Sequence, residues 1–316
     1  DLNVVTYCSA TTGVNVNLQT GTASDGLGGT DTLANLNFVV GSAQNDTLTG
    51  SSTANLFEQF EGGEGNDTID GGAIDAINQQ NSNRVNYSSA TGAVTVNLAT
   101  GVATGAGTDT LININHVRGS NTGDTLTGSN SSLTEQFEGR GGNDTIDGAG
   151  GTDMVRYDSA SVGVNVSLVT NTASDGLGGT DTLSNIEGIR GSNFNDTLTG
   201  GNAANGTGAT DGFEFFMGQG GNDTIDGGGG FDRVDYTSST TGASVTLGGS
   251  SNGTASDGLG GTDTLINIEA VRGSEFNDTL TGSDTGAFES FEGRGGNDTI
   301  DGKGGTDRVD YSSATA

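Results

Sequence analysis

The chain has 316 residues, of which 40 are Asp or Glu and 10 are Lys or Arg, so its formal net charge is −30. This charge argues strongly against nucleic acid or an anionic membrane surface as a partner. Apolar residues make up only 30% of the chain and glycine accounts for 59 residues, so something such as a divalent cation must offset the carboxylate repulsion before one fold is stable.

One tyrosine recurs in the same local context, at Tyr7, Tyr87, Tyr157, Tyr236 and Tyr311. The repeats that it marks cover approximately residues 7–86, 87–156, 157–235 and 236–310, and residues 311–316 begin a next one. Repetition at this scale indicates a solenoid of stacked coils rather than separate domains. We therefore expect residues 1–316 to form one continuous solenoid, taken from a longer array or able to join one.

Each repeat opens with alternating apolar and polar residues, as in Val14–Leu18 and Val164–Leu168. This alternation predicts a half-buried strand that is longer than its neighbours. Glycine turns follow, with the sequence GLGGTD at Gly26, Gly176 and Gly258, and GSxxND at Gly41, Gly191 and Gly273.

A variable rung and two nine-residue blocks complete the repeat. The rung carries Phe60, Phe137, Phe216 or Phe291, which we expect in the core. In the last repeat the blocks read GRGGNDTID from Gly293 and GKGGTDRVD from Gly302, each a six-residue turn followed by a three-residue strand. Glycine supplies the positive φ of the turn, and one apolar residue, such as Ile69, Ile146, Ile225 or Ile300, points inward. No helical periodicity is present, so the pattern predicts an all-β fold.

These blocks follow the pattern G-G-x-G-x-D-x-U-x and resemble the RTX family of secreted bacterial proteins. The resemblance implies a right-handed parallel β-roll in which Ca²⁺ lies between one turn and the turn one coil later. It implies ligand roles for the carboxylates of Asp144, Asp153, Asp223, Asp232, Asp298 and Asp307, and for carbonyls at Gly139, Gly141, Gly293 and Gly295. Extended to the other turns, it adds Asp31, Asp46, Asp67, Asp109, Asp124, Asp181, Asp196, Asp263 and Asp278.

The aspartate spacing supports stacked turns independently. Asp124 and Asp144 are 20 residues apart, as are Asp278 and Asp298, while Asp46 to Asp67 spans 21 and Asp196 to Asp223 spans 27 with a bulged rung. Turns on one edge of a two-sided coil should recur after about two blocks. Facing carboxylates and carbonyls provide the oxygen ligands that Ca²⁺ prefers.

Several positions depart from the pattern. Asn83 stands where Asp153, Asp232 and Asp307 stand in other repeats, after an Asn- and Gln-rich insertion, so that edge is expected to lack one ion. The turn before Asp109 loses a glycine, and fewer ions than turns are expected. Cys8 is the single cysteine, which excludes a disulfide framework, and it occupies a position held by serine in later repeats.

We expect no catalytic site. The single histidine, His116, is interpreted as a surface residue because other repeats carry Glu187 or Glu269 at that place. Glycine runs that lead into strands are not phosphate loops. No apolar run is long enough to cross a membrane, so no membrane insertion is expected.

The favoured function is a calcium-binding structural segment of an extracellular or cell-surface protein, such as a surface layer, adhesin or filament, that self-associates end to end or laterally. One alternative is the secretion and folding module of a larger secreted enzyme or toxin. A minor alternative is ice binding through threonine rows that include Thr47, Thr125, Thr197 and Thr279.

Overall fold

The computed structural model describes residues 2–53, 56–73, 83–202 and 212–313, and these residues form an all-β parallel β-roll. The insertion that precedes Asn83 (residues 74–82) and the bulged rung of the third repeat (residues 203–211) lie outside the described residues. The chain divides into two compact units, residues 1–154 (unit 1) and residues 155–316 (unit 2). The single continuous solenoid of four repeats stays a prediction.

Unit 1 contains sixteen strands among its described residues, and most of them are three residues long. They are β1 (Val4–Thr6), β2 (Asn15–Asn17), β3 (Thr22–Ser24), β4 (Thr30–Thr32), β5 (Phe38–Val40), β6 (Thr47–Thr49), β7 (Glu58–Glu61), β8 (Thr68–Asp70), β9 (Asn83–Asn86), β10 (Thr95–Asn97), β11 (Val102–Thr104), β12 (Thr108–Ile112), β13 (His116–Arg118), β14 (Thr125–Thr127), β15 (Glu135–Glu138) and β16 (Thr145–Asp147). The next strand, β17 (Asp153–Arg156), spans the boundary between the units.

Unit 2 repeats this arrangement. Its strands are β18 (Asn165–Ser167), β19 (Thr172–Ser174), β20 (Thr180–Ser184), β21 (Gly188–Arg190), β22 (Thr197–Thr199), β23 (Phe215–Met217), β24 (Thr224–Asp226), β25 (Arg233–Asp235), β26 (Ser244–Thr246), β27 (Gly253–Ser256), β28 (Thr262–Ile266), β29 (Ala270–Arg272), β30 (Thr279–Thr281), β31 (Ser290–Glu292), β32 (Thr299–Asp301) and β33 (Arg308–Val309). Within the described residues no helix is long and apolar enough to cross a membrane.

The chain passes alternately between two sheets in each unit. In unit 1, sheet A has the order β1-β5-β7-β9-β13-β15, and all of these neighbours are parallel. Sheet B of unit 1 has the order β4-β3-β2-β6-β8-β12-β11-β10-β14-β16. In unit 2 the corresponding orders are β21-β23-β25-β29-β31-β33 and β20-β19-β18-β22-β24-β28-β27-β26-β30-β32.

The core is one apolar residue wide in each strand, as the nine-residue pattern predicts. In sheet B of unit 1, Val16, Leu48 and Ile69 are in register and fully buried. Facing them in sheet A, the rung residue Phe60 is also fully buried. The predicted core positions Phe137, Phe216 and Phe291 are confirmed in the same way. Ile300 is only half-buried because it lies in the last sheet B strand that the structure describes.

The strand predicted at the start of each repeat is half-buried, as expected, but the prediction that it is longer than its neighbours is wrong. Val14–Leu18 contributes only β2, and the chain then reverses through a turn at Gly21, where φ is +66°, into an antiparallel arm of β3 and β4. The N–H of Thr20 donates to Asn17 Oδ1 at 2.8 Å and fixes this reversal. Sheet B is therefore mixed, while sheet A is entirely parallel within each unit.

The turns place positive φ partly on residues other than glycine. In the block that starts at Gly139, the second position, Arg140, has φ of +73° and the fourth, Gly142, has φ of +124°. Ala149 and Lys303 hold the same second position, with φ of +69° and +62°. The left-handed conformation costs a non-glycine residue about 1–2 kcal/mol, so the second position of these turns is strained.

Candidate metal centre

The turns that lead into sheet B, here called the first edge, stack through their aspartates. In unit 1 the N–H of Asp46 donates to Asp67 Oδ1 at 2.8 Å, and the N–H of Asp67 donates to Asp109 Oδ1 at 3.0 Å. The N–H of Val14 donates in turn to Asp46 Oδ1 at 2.7 Å. Each carboxylate therefore joins its own turn to the turn of the adjacent coil.

The same stack forms in unit 2. The N–H of Asp196 donates to Asp223 Oδ1 at 2.8 Å, and the N–H of Asp223 donates to Asp263 Oδ1 at 3.2 Å. Two further pairs make the same bond. The N–H of Asp124 donates to Asp144 Oδ1 at 2.7 Å, and the N–H of Asp278 donates to Asp298 Oδ1 at 3.0 Å. The stacking predicted from spacings of 20 to 27 residues is thus present at all four pairs.

The first aspartate of each stack already has hydrogen-bond donors at both carboxylate oxygens. In the GSxxND turn of unit 1, the N–H of Ser42 donates to Asp46 Oδ2 at 2.5 Å, and its hydroxyl donates to Oδ1 at 2.8 Å. The same two bonds join Ser120 to Asp124, Ser192 to Asp196 and Ser274 to Asp278. Their predicted role as calcium ligands stays a prediction.

A tyrosine hydroxyl donates a hydrogen bond to the last aspartate of the stack. Tyr87 donates to Asp109 Oδ2 at 2.9 Å, and Tyr236 donates to Asp263 Oδ2 at 3.1 Å. Burial, with the nearby Asp109 carboxylate, raises the pKa of Tyr87 well above its usual value, so the hydroxyl stays a donor. The sequence analysis used these tyrosines only to mark the repeats, although their regular spacing was the signal of this contact.

The middle aspartate has no such donor. Oδ2 of Asp67 and Oδ2 of Asp223 are buried and receive no hydrogen bond from any residue that the structure describes. Burial and the neighbouring Asp109 and Asp46 carboxylates raise the pKa of Asp67 to about 7. Burial, with Asp263 and other nearby carboxylates, raises the pKa of Asp223 to about 8. Both belong to the strict nine-residue blocks.

A carboxylate outside the nine-residue pattern joins this site in unit 2. Oδ1 of Asp257 accepts N–H bonds from Leu259, Gly260 and Gly261 at 2.8 to 2.9 Å, whereas its Oδ2 is buried without a donor among the described residues. A β-carbon on Gly261 would lie 2.6 Å from Asp257 Oδ2 and would overlap the Gly221 carbonyl oxygen. Oxygens of the loop that contains Asp257 and of the turn that precedes Asp223 therefore converge.

Sequence reasoning missed this aspartate. The signal was the recurrence of Ser-Asp-Gly-Leu-Gly-Gly, which places Asp25, Asp175 and Asp257 directly before the GLGGTD turn. Asp175 makes the same three bonds as Asp257, to N–H groups of Leu177, Gly178 and Gly179. The second repeat has Thr104-Gly105 at this place and lacks the carboxylate.

The turns that lead into sheet A, here called the second edge, carry a row of buried glutamates as well as aspartates. The N–H of Glu135 donates to Asp153 Oδ1 at 3.1 Å, that of Glu214 to Asp232 Oδ1 at 2.9 Å, and that of Glu289 to Asp307 Oδ1 at 3.1 Å. Glu58, Glu135, Glu214 and Glu289 are all buried. The sequence analysis missed them, although each precedes the rung phenylalanine by two places.

Burial differs among the remaining predicted ligands. Asp144, Asp153 and Asp181 are buried, Asp298 and Asp307 are half-buried, and Asp31 is exposed with its Oδ2 bonded to the Tyr7 hydroxyl at 3.0 Å. Gly139, Gly141 and Gly293 are buried, and Gly295 is half-buried. Cys8 is exposed.

The interpretation of His116 as a surface residue is wrong. Its side chain is buried in β13, with the ring 6.3 Å from that of Phe57 in an edge-to-face contact. The residue that corresponds to Glu269 is its neighbour Asn115, because Asn115 aligns with Asn83 in the register of sheet A as Glu269 aligns with Asp232. The sequence analysis aligned His116 with Glu269, one residue away from the true register. A shift of one residue places a side chain on the opposite face of a strand, which is why His116 was wrongly expected at the surface.

The oxygen ligands available at the first edge fit a hard cation. Ca²⁺ takes six to eight oxygen ligands, and the first edge supplies carboxylate and carbonyl oxygens. No group of three or more His, Cys, Asp or Glu side chains is placed to hold a metal within residues 2–53, 56–73, 83–202 and 212–313. A cation here would therefore need main-chain carbonyls in addition to one or two carboxylates.

Comparison with known families agrees with this chemistry. A model of the RTX calcium-binding nonapeptide repeat (4 copies) matches residues 36–58, 55–73, 130–159, 189–205, 208–237 and 285–313. These segments include the middle aspartates Asp67 and Asp223, and also Asp144 and Asp298, which occupy the same position of the nine-residue block. A comparison with curated proteins finds no match. The chain therefore contains RTX calcium-binding nonapeptide repeats in several copies, and their turns lead into the strands of a parallel β-roll.

Proposed function

We propose that this chain is a non-catalytic structural segment of an extracellular bacterial protein, and that calcium binding at the middle aspartates makes its coils rigid. The observation that carries the proposal is the buried Oδ2 of Asp67 and of Asp223, each without a hydrogen-bond donor among the described residues. A buried carboxylate oxygen without a donor is costly, and a cation removes that cost.

Asp67 would hold one ion in unit 1, and Asp223 with Asp257 would hold one in unit 2. Asp144 and Asp298 occupy the same motif position and are candidates by equivalence. The bound ion supplies positive charge between carboxylates that otherwise repel. The chain itself contributes the hydrogen-bonded stack that fixes each carboxylate, and the serine and tyrosine donors that satisfy the outer aspartates.

A calcium titration of the purified chain tests this proposal. Circular dichroism should report a gain of β structure as free calcium rises to about the millimolar range typical of extracellular modules, and a chelator should reverse it. Native mass spectrometry should count bound ions in parallel. A protein that binds no calcium, or whose fold and stability are the same with chelator, would refute the proposal.

A matched pair of variants separates the middle aspartate from the first one. Asp223→Asn should remove one ion and reduce the stabilisation that calcium gives. Asp196→Asn should weaken the stack by loss of its serine contacts, but it should leave the ion count unchanged, because both oxygens of Asp196 already have donors. Equal loss of ions in both variants would contradict the assignment.

Self-association is the second part of the proposal. Among the described strands, β1 pairs only with β5, and β33 pairs only with β31, and both carry an exposed valine, Val4 and Val309. Unpaired strand edges can receive another strand, either from more of the same chain or from a second copy. Electron microscopy with and without chelator tests this, since monomers in both conditions would count against polymerisation.

A further inference from the structure

One row of side chains, on the face of sheet A that points away from the core, differs between the two units. In unit 1 the strands β7, β9, β13 and β15 align Gln59, Arg84, His116 and Gln136. In unit 2 the strands β23, β25, β29, β31 and β33 align Phe215, Arg233, Ala270, Ser290 and Arg308. Both rows have an arginine at the second position, but its neighbours are polar and large in unit 1 and apolar or small in unit 2.

The arginine of unit 1 has a hydrogen-bond acceptor beside it. Nε of Arg84 donates to Gln59 Oε1 at 2.7 Å, and Arg84 Cζ lies 4.9 Å from the centre of the Phe57 ring. His116, which follows in the row, is buried with its ring 6.3 Å from that of Phe57. Unit 1 thus satisfies this arginine and covers the space beside it with its own side chains.

The arginine of unit 2 has no such acceptor. Phe215 stands where unit 1 has the glutamine, and Arg233 Cζ lies 5.4 Å from the centre of the Phe213 ring and 5.6 Å from that of Phe215. Nε of Arg233 is buried and donates to no residue that the structure describes. Asp235 Oδ2 lies 3.5 Å from Arg233 and 3.4 Å from Arg272, so one carboxylate faces two guanidinium groups.

A cavity of about 100 Å³, partly open to solvent, lies beside Arg233. The two row positions that follow Arg233 hold small residues, Ala270 and Ser290, in place of the histidine and glutamine of unit 1. Phe231 and Arg308 also line the cavity, and the Arg308 side chain is 55% exposed. Two guanidinium groups and an aromatic ring therefore border a space that large side chains occupy in unit 1.

The carboxylates that line this cavity already accept hydrogen bonds from the protein. Glu292 accepts one from Arg272 Nε at 2.6 Å, and Asp310 accepts one from the N–H of Ser312 at 2.8 Å. Burial and the nearby Arg272 guanidinium lower the pKa of Arg233. The positive charge of Arg233 is therefore incompletely balanced by its neighbours, and an added anion would stabilise it.

We propose that this cavity binds a carboxylate carried on a ring, with Arg233 and Arg308 as donors and Phe231 as the surface against which the ring packs. Guanidinium groups bind carboxylates through charged hydrogen bonds, and an aromatic side chain offers a flat apolar surface. An acidic sugar and an aromatic acid both have this chemistry. The site uses none of the proposed calcium ligands, so it goes beyond the proposed function and does not depend on it.

Isothermal titration calorimetry of the whole chain, with calcium present throughout, tests this proposal. The probes are D-glucuronate and benzoate, and their neutral counterparts, D-glucose and benzyl alcohol, control for the charge. At least one carboxylate should bind with a Kd of about 1 mM, and its neutral counterpart should bind at least about tenfold more weakly. Binding of glucuronate alone identifies an acidic sugar, binding of benzoate alone identifies an aromatic acid, and binding of both supports the shared chemistry.

Two variants and one matched control locate the site. Arg233→Gln should weaken carboxylate binding by at least about tenfold, because it removes a charged donor. Arg84→Gln makes the same change in unit 1 and should leave binding unchanged. The double variant Ala270→His with Ser290→Gln gives unit 2 the row residues of unit 1, and it should remove binding although Arg233 stays in place.

Circular dichroism shows which variants are folded, and the folded ones decide the outcome. If neither carboxylate binds to the unaltered protein, the proposal is overturned. Unchanged binding in the double variant would overturn it as well, because the cavity would then have no part in recognition. Equal weakening by Arg233→Gln and Arg84→Gln would reveal a general attraction of anions to arginine, and this result too would overturn the assignment.

Discussion

The tyrosine contact gives the sharpest test of how the aspartate stack is stabilised. Tyr236→Phe removes only the hydroxyl that donates to Asp263 Oδ2 at 3.1 Å, and both residues are almost fully buried. A hydrogen bond to a charged group contributes about 1.5–3 kcal/mol, and its loss leaves a buried carboxylate oxygen without that donor. Tyr236 and Asp263 lie in unit 2, residues 155–316. For a folded unit of about 150–250 residues, a loss of about 2 kcal/mol should lower the Tm by about 4–8 °C.

Two control variants separate this contact from a general effect of tyrosine removal. Tyr7→Phe removes the same bond to an exposed acceptor, Asp31, and should cost about 0.5 kcal/mol or less. Tyr311→Phe changes a side chain that is 72% exposed and should cost nothing measurable. Calorimetry of all three variants at one saturating calcium concentration makes the comparison. Equal Tm shifts for Tyr236→Phe and Tyr7→Phe would refute the reasoning.

Three further predictions follow from the turns. Gly62→Ala should destabilise the protein by about 1–3 kcal/mol and weaken calcium binding, because its β-carbon would overlap Asp67 Oδ2; Gly92→Ala, which meets no atom within 4 Å, should be nearly neutral in the same urea titration. Ala149→Gly should stabilise the protein by about 1 kcal/mol in that titration, because Ala149 has φ of +69°; a loss of stability would contradict the strain. In calcium-free protein the pKa of Asp67 is raised to about 7 and that of Asp223 to about 8, so their protonated forms favour the fold. Stability should therefore be highest near pH 4, where an unfolded aspartate titrates, and should fall as pH rises to about 8; a flat or rising profile would count against these shifts.

Side-chain periodicity explains why the core could be predicted. A period of two and one large apolar residue per strand leave a single choice of inward side chain, so Ile69 and Phe60 were assigned correctly. The stacking of Asp46 on Asp67 followed from their spacing alone, because a two-sided coil must return to the same edge after about two blocks.

The antiparallel arm and the donors of the stack could not be predicted in the same way. The reversal after β2 depends on the side chain of Asn17 and on a left-handed glycine, Gly21, and neither changes the apolar pattern. The partners of Asp109 and Asp46 are Tyr87 and Ser42, and the tyrosine lies 22 residues away in sequence, so only the folded coil brings the pair together.

The distribution of these donors explains why one aspartate position in each stack would need the metal. A serine donates hydrogen bonds to the first aspartate of the stack, and a tyrosine hydroxyl donates to the last. The protein itself therefore provides hydrogen-bond donors for the carboxylates at both ends of the stack. The middle carboxylate lies between two other carboxylates and lacks a donor at one oxygen, as Asp67 and Asp223 both do. The hydrogen bonds between successive turns hold the first, middle and last carboxylates of a stack close together. One cation at the middle aspartate would therefore attract all three negative charges. The chain can therefore carry many aspartates, and under the proposed function calcium would act at the positions where the middle aspartate lacks a donor.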